Sequence, residues 1–208
     1  GSGFSLASYD LDIRGAGNLL GDEQSGHIRE VGIELYHKML EEAVSSARGL
    51  DNSKSHDQEW SPQISLGVSI LIPDTYIPDL SLRMILYRRL ANLCNMEEIQ
   101  LFSEELVDRF GVLPKEVENL LSTTHLKNQC KIAGIEKIDT GPKGIIISFR
   151  NSEFSNPLGL IKFITNQENK VRIRPDHKLV FKIQSASSNE LIEKIEKILN
   201  DLTKLTAL

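Results

Sequence analysis

The sequence predicts an α+β protein, in which helices and strands occupy different parts of the chain. Two patterns indicate this class. Apolar residues recur at helical spacing through most of residues 79–133, and short β-type runs dominate from residue 144 to residue 183. A further amphipathic stretch follows at residues 187–202. We therefore expect an N-terminal helical segment followed by a compact domain of several helices packed with a small β-sheet.

The N-terminal helix is predicted over residues 30–47. Its apolar stripe consists of Ile33, Tyr36, Leu40, Ala43, Val44 and Ala47. Gly49 follows in a position suited to the C-terminal end of a helix. Residues 51–60 are polar and without periodicity, which is typical of an exposed linker. The sequence thus predicts three parts: a segment over 1–50, a linker over 51–60 and a domain over 61–208.

Four strands are predicted in the domain. The first covers residues 64–72, where apolar and polar residues alternate up to Pro73. The other three are Gly144 to Phe149, Lys170 to Arg174 and Lys178 to Ile183. An apolar helix is expected among them at residues 158–164.

Four longer helices complete the domain. Asp79 is a typical N-cap residue for the first, whose apolar stripe is Leu82, Ile85, Leu86, Leu90 and Leu93. The second helix ends at Gly111, and its stripe is Ile99, Phe102, Leu106 and Phe110. Pro114 suits the first turn of the third, which runs to Ala133 before Gly134. The fourth opens at Ser187, with Glu190 in capping-box spacing.

Composition and charge narrow the functional classes. The chain is 40% hydrophobic and 25% charged, as soluble globular proteins are, and no apolar run approaches the roughly 20 residues of a membrane span. Residues 1–59 carry 5 Lys/Arg and 11 Asp/Glu, residues 60–140 carry 8 and 11, and residues 141–208 carry 11 and 7. A strongly basic nucleic-acid surface is therefore not expected, and the acidic middle suits a basic protein partner.

The two cysteines give no sign of a metal site or a disulfide framework. Cys94 and Cys130 are far apart and lack metal-type spacing. We interpret both as small buried thiols in a reducing, cytoplasmic setting.

The stretch IRGAGNLLGDEQSGH, Ile13 to His27, raises the question of a nucleotide-binding loop. Its glycines, Gly15, Gly17 and Gly21, depart from the dinucleotide spacing, and the preceding residues alternate charged with apolar side chains instead of forming a buried parallel strand. A Walker A loop would need Gly-Lys-Ser/Thr, which the sequence lacks. The five histidines are scattered, without an H-E-x-x-H motif. We predict no catalytic residue and no metal site in this chain.

Longer stretches resemble a known family. DLDIRGAGNLLGDEQSGHIREVGIELYHKMLEEAV is similar to the end of the motor in bacterial transcription-repair coupling factors (Mfd), and RecG-type translocases have a related form. SILIPDTYIPDLSLRMILYRRLA and ELVDRFGVLPKEVENLL resemble the C-terminal regulatory domain of the same factors. The second part distinguishes the coupling factors from the RecG type, which shares only the first.

The resemblance implies that the chain is a fragment of a larger machine. The whole factor has a UvrB-like N-terminal module, a domain that binds RNA polymerase and a double-stranded DNA translocase that uses ATP and Mg. It displaces stalled polymerase and recruits UvrA for nucleotide excision repair. The fragment lacks the ATP-binding motifs, so it is expected to bind no cofactor and to have no enzymatic activity of its own.

The resemblance also implies two functional sites. Arg14 and Gln24 match positions that couple ATP hydrolysis to movement on DNA, and the three glycines let that loop bend tightly. Glu105 and Asp108 match acidic positions that contact the UvrB-like module and mask its UvrA-binding surface. Their spacing of three places them on one helix face, and Arg109 beside them is a potential intramolecular partner.

Two other classes remain open. One is a free-standing ATP-dependent helicase subunit, which the missing phosphate loop argues against. The other is an independent nucleic-acid-binding module built on basic residues at alternate positions of two strands: Lys170, Arg172, Arg174, Lys178 and Lys182. Salt-dependent DNA binding by the last third of the chain would favour it.

Overall fold

A computed structural model describes residues 60–207. In this range the helices are α1 (Leu80–Ala91), α2 (Met96–Phe110), α3 (Lys115–Ala133), α4 (Pro157–Thr165) and α5 (Ser188–Thr206). The strands are β1 (Gln63–Ser65), β2 (Ile135–Gly141), β3 (Gly144–Phe149), β4 (Val171–Ile173) and β5 (Leu179–Lys182), and Arg150–Ser152 form a 3-10 turn. The predicted α+β class is confirmed. The predicted N-terminal helix and linker lie outside the described residues.

The described residues divide into two compact units. The first consists of residues 67–121, and the second of residues 60–66 together with 122–207. Helix α3 contributes its beginning to the first unit and the rest to the second.

The first unit is helical, and its helix ends follow the sequence signals. The carboxylate of Asp79 accepts hydrogen bonds from the N–H groups of Ser81 (2.9 Å) and Leu82 (3.3 Å), which confirms it as the N-cap of α1. Gly111 ends α2 with a φ of 92°, a conformation that favours glycine. The start of α1 and the end of α2 therefore lie where local chemistry predicts.

The buried residues of the first unit test the apolar stripes that were predicted for α1 and α2. On α2, Ile99, Phe102 and Leu106 are buried as expected. On α1 the predicted stripe was partly wrong: Ile85 is 49% exposed, and the buried residues are Arg83, Met84, Leu86, Tyr87 and Leu90. The guanidinium of Arg83 is accommodated because it donates to the carbonyl of Ile77 at 2.7 Å.

The strand predicted over residues 64–72 is much shorter than expected. β1 ends at Ser65, and Gly67 turns the chain with a φ of 68°. Ile72 is buried in the first unit, where its N–H donates to the hydroxyl of Tyr87 at 2.7 Å. The predicted alternation of buried and exposed residues was therefore correct, but Ile72 is hydrogen-bonded to helix α1 and not to a neighbouring strand.

The second unit contains a five-stranded sheet in the order β1-β2-β3-β5-β4. β1 pairs with β2 in parallel, and the other neighbours are antiparallel. The sequence analysis missed β2, because its apolar residues Ile135 and Ile138 are three apart and follow directly on a helix. The hairpin from β2 to β3 supplies the centre of the sheet.

One face of the sheet carries the core of the second unit. Ile145 and Ile147 of β3 and Leu179 and Phe181 of β5 are buried on this face. The ring of Phe163 on α4 lies 6.4 Å from that of Phe181, so α4 packs on the same side. The other face of β5 carries Val180 and Lys182.

Helix α5 begins as predicted. The hydroxyl of Ser187 accepts from the N–H of Glu190 at 3.2 Å, and the carboxylate of Glu190 accepts from the N–H of Ala186 at 2.7 Å. The reciprocal bond thus reaches one residue further back than in the usual capping box. The apolar side of the helix is buried at Ile192, Ile195, Leu199 and Leu202.

The cysteines differ from each other. Cys130 is a buried free thiol, as expected, and burial raises its pKa to about 12. Cys94 is free but exposed, so the expectation of a buried thiol was wrong there. Within residues 60–207, no helix is both long and apolar enough to cross a membrane.

Candidate partner-binding site on helix α2

The predicted site residues fall into two groups. Arg14, Gln24, Gly15, Gly17 and Gly21 lie outside the described residues, and their coupling role stays a prediction. Glu105, Asp108 and Arg109 all lie on α2.

Helix α2 is fixed at its C-terminal end by Tyr76. The hydroxyl of Tyr76 lies 3.1 Å from the carbonyl oxygen of Leu106 and 2.8 Å from that of Gly111. Its ring meets that of Phe110 edge-on, with the centroids 5.9 Å apart. The last turn of α2 is therefore held in place from outside the helix, and its surface residues are presented on a rigid element.

Glu105 is committed to an intramolecular network. One carboxylate oxygen accepts from Arg89 of α1 at 2.9 Å and from Arg109 at 3.1 Å, and the other accepts from the second terminal nitrogen of Arg89. Arg89 also lies over the ring of Phe102 (5.1 Å). The bidentate pair ties α1 to α2 at the edge of the core. The predicted pairing of Arg109 with an acidic residue is thus present.

The network shifts the pKa of Glu105 and that of Arg89. Hydrogen bonds from Arg89, supported by Arg109, lower the pKa of Glu105 from 4.5 to about 2, against the opposing effect of desolvation. The same hydrogen bond raises the pKa of Arg89. Glu105 therefore carries a charge at neutral pH that two guanidinium groups already compensate.

Asp108 is the contrasting case. It is exposed, and within residues 60–207 it makes no hydrogen bond or ion pair through its side chain. It continues a row of exposed residues at spacings of four, three and four on the side of α2 opposite the core: Glu97, Leu101, Glu104 and Asp108. We call these four residues the acidic row. Leu101 is 60% exposed within it.

The structure thus refines the predicted site. Asp108 lies opposite Phe102 and Leu106, as expected, but Glu105 is half-buried on the flank of the helix, because an offset of three residues turns it toward α1. The sequence analysis missed Glu104 and Leu101. Helical arithmetic from Asp108 would have found both.

The acidic row combines carboxylates with an exposed leucine. Carboxylates at Glu104 and Asp108 are four residues apart and repel each other mildly, which a cationic partner would relieve. Within residues 60–207, no cluster of three or more potential metal ligands occurs. An exposed leucine between acids is suited to contact with a protein that has both apolar and basic side chains.

Comparisons with known proteins identify the family. Residues 66–160 match the family model of the TRCF domain. The chain is 43% identical over 201 residues to the transcription-repair-coupling factor of Rickettsia conorii, covering 96% of this chain and 18% of that protein. It is 36% identical over 204 residues to the corresponding Escherichia coli factor, covering 97% of this chain and 18% of that protein.

A solved structure shows the same fold. The crystal structure of the C-terminal domain of a transcription-repair coupling factor aligns with a TM-score of 0.62, covering 74% of this chain and 98% of that chain at 22% identity. The helical unit and the mixed sheet therefore define a TRCF-type C-terminal domain. The chain belongs to the family of transcription-repair-coupling factors, and it spans about 18% of the length of the relatives it matches.

Proposed function

We propose that this chain regulates a transcription-repair coupling factor by docking, through helix α2, on the UvrB-like module of the same protein. In the docked state it masks the surface that recruits UvrA. The observation that carries the proposal is the acidic row, with Asp108 exposed and without an ion pair in the described part of the chain.

The packing of α2 supports this role. A docking surface works best when its residues are fixed before the partner arrives, since less conformational entropy is then lost on binding. Tyr76 and the Arg89–Glu105 pair fix α2 without using the acidic row. Glu105 accordingly positions the helix, and Glu104 and Asp108 are the side chains that meet basic groups of the partner.

The parent protein supplies the wider function. We propose that the whole factor is an ATP- and Mg-dependent translocase on double-stranded DNA, which displaces stalled RNA polymerase in the cytoplasm and recruits repair. In it, Arg14 and Gln24 couple hydrolysis to movement. Arg14→Ala in the whole factor is expected to retain ATP hydrolysis and to impair translocation in a triplex-displacement assay; normal translocation would contradict this role.

The docking proposal is tested in the whole factor by measuring UvrA binding without polymerase. Glu104→Gln combined with Asp108→Asn is expected to strengthen UvrA binding and raise basal ATPase, because the docked state loses its charge complementarity. Glu193→Gln with Glu153→Gln is the matched control, since both are exposed acids outside α2. Removing the whole domain should mimic the α2 variant.

Glu105→Ala distinguishes docking from helix positioning. This substitution frees Arg89 and Arg109, so it should weaken the domain and release UvrA binding together. The α2 double variant should release UvrA binding while its unfolding midpoint stays unchanged. Equal, weak UvrA binding by the double variant, the control and the native factor would show that the acidic row does not hold the docked state.

A further inference from the structure

The ribbon formed by β4 and β5 gathers cations on one face. Val171 lies opposite Phe181 and Arg172 opposite Val180. Because side chains alternate between faces along each strand, the face away from the core carries five basic residues. They are Lys170, Arg172, Arg174, Lys178 and Lys182. We call this surface the basic ribbon face. These residues were candidates from the sequence, and the register now places all five together.

Like charges face each other across this ribbon. The N–H of Lys182 donates to the carbonyl of Lys170 at 2.8 Å, and the N–H of Arg174 donates to the carbonyl of Lys178 at 2.9 Å. The two hydrogen bonds extend the ladder beyond β4 at both ends and set Lys170 opposite Lys182 and Arg174 opposite Lys178. Directly opposed like charges destabilise an antiparallel pair. The arrangement therefore works against the stability of the hairpin.

Acidic groups do little to offset this charge. Asp176 in the connecting turn pairs with Arg174 at 3.0 Å. Lys170, Arg172, Lys178 and Lys182 form no ion pair with another described residue. Glu168, in the loop before β4, is exposed and makes no ion pair with them. Elsewhere in the sheet a cation does have a partner, since Lys137 lies 3.6 Å from Asp139.

The surface is accessible and narrow. β4 is an edge strand, and Lys170, Arg172, Arg174 and Lys182 are exposed. Toward the centre of the sheet, the row that starts at Arg172 continues on the same face through half-buried Val180 and Ile146 to half-buried Asp139 of β2. The buried Ser148 lies two residues from Ile146 on the same strand. The open part is therefore a two-stranded strip of cations beside a small apolar patch, and none of its side chains is aromatic.

We propose that the basic ribbon face binds the phosphate backbone of duplex DNA. Two residues along a strand advance by roughly 6.8 Å, which matches two nucleotide steps along one strand of a duplex, so successive cations can meet every second phosphate of that strand. Guanidinium groups at Arg172 and Arg174 suit phosphate oxygens. A single strand would be held by stacking on aromatic rings, and this face has none.

Duplex DNA fits the strip better than an acidic protein segment does. A duplex carries one negative charge per about 1.7 Å of axis, whereas a peptide seldom sustains that density. The binding is expected to read no sequence, because the face presents no amide side chain and its cations reach backbone charge only. This site shares no residue with the acidic row and does not depend on docking by α2.

Fluorescence anisotropy of this 208-residue chain with a short labelled duplex, over a series of salt concentrations, tests the proposal. The plot of log K against log salt has a negative slope, and each lost phosphate contact reduces its magnitude by about 0.9. Arg172→Ala with Lys182→Ala should therefore reduce the magnitude of the slope by about 1.8 and weaken binding. The matched control is Lys197→Ala with Lys204→Ala on α5, which removes the same charge from exposed positions elsewhere in the unit. The control should keep the native slope.

Four results would overturn the proposal. Native chain that does not bind the duplex, or a ribbon variant with the native slope, would show that these cations make no phosphate contact. An equal loss in the α5 control would assign the binding to net charge alone. Competition by poly-glutamate as strong as that by unlabelled duplex would identify an acidic protein as the occupant. Circular dichroism of both variants checks that each is folded.

Discussion

Helix α2 and the β4–β5 ribbon both present a row of like charges to solvent, but they treat those charges differently. On α2, Glu105 is compensated by Arg89 and Arg109, and Asp108 one turn further on is left open. On the ribbon, Lys170 faces Lys182 across the strands, and Arg174 is the one cation of the five that has an acidic partner among residues 60–207.

The difference separates two ways of building a charged surface. On α2, one acid stabilises the element and its neighbours remain available, so stability and binding are divided between residues. On the ribbon, the same cationic residues form the hairpin and remain available for binding. The opposed cations of the ribbon lower the stability of the free protein, and the free fold gains nothing from them. A ligand that neutralises their repulsion is therefore the best explanation for their presence.

The largest expected effect concerns the support of α2. Leu106→Ala should lower the free energy of unfolding by about 2–5 kcal/mol, because it removes a fully buried side chain from the core of the first unit. Its neighbour Val107 is 44% exposed, so Val107→Ala is the matched control and should stay within about 0.5 kcal/mol of the native chain. Urea-induced unfolding followed by circular dichroism measures both. Equal losses would mean that α2 is not packed as described.

The second effect is a pH dependence of stability that comes from Glu105. The pKa of Glu105 is about 2 in the folded chain because Arg89, and then Arg109, hydrogen-bond to its carboxylate. A lowered folded pKa gives stability that is complete above the ordinary value of 4.5 and is lost as the pH falls toward 2. Solvent screening at this partly exposed site limits the contribution to about 1 kcal/mol.

Glu105→Gln tests this window. The variant should lose less stability than the native chain when the pH is lowered from neutrality to about 3. Asp108→Asn is the control, because Asp108 has no ion pair within residues 60–207, and it should follow the native curve. If acidification costs Glu105→Gln as much as it costs the native chain, the network with Arg89 does not stabilise the fold.

The structural features that the sequence predicted correctly are those that depend on residues close together along the chain. Helix ends at Asp79, Gly111 and Ser187 were correct, since a cap depends on a residue and the next three N–H groups. Strand β2 was missed, and the strand at residues 64–72 was drawn too long. β1 pairs with β2 across a gap of more than sixty residues, and no local pattern fixes which residues find a partner.

In the candidate site, too, the sequence predicts the local features and not the long-range pairings. Asp108 could be placed on the exposed side of α2 by helical periodicity alone, and so could Glu104 and Leu101. The pairing of Glu105 with Arg89 could not, because it joins two helices whose packing decides which acid meets which guanidinium. The opposed cations of the ribbon likewise require the strand register, since alternation along one strand says nothing about the residue across from it.

The last prediction concerns the opposed lysines of the ribbon, where a small change in stability is expected. Lys182→Glu replaces an opposed lysine pair with an ion pair to Lys170, so the unfolding free energy should rise by about 0.2–1 kcal/mol. Lys182→Gln removes the repulsion without adding attraction and should fall between the native chain and Lys182→Glu. Urea unfolding measures the stability of both, and duplex binding is measured beside it. A destabilised Lys182→Glu chain would show that Lys170 and Lys182 do not repel each other in the native hairpin. Higher stability together with weaker duplex binding would show that the native Lys182 contributes to binding and lowers the stability of the fold. Glu105 on α2, in contrast, stabilises the fold.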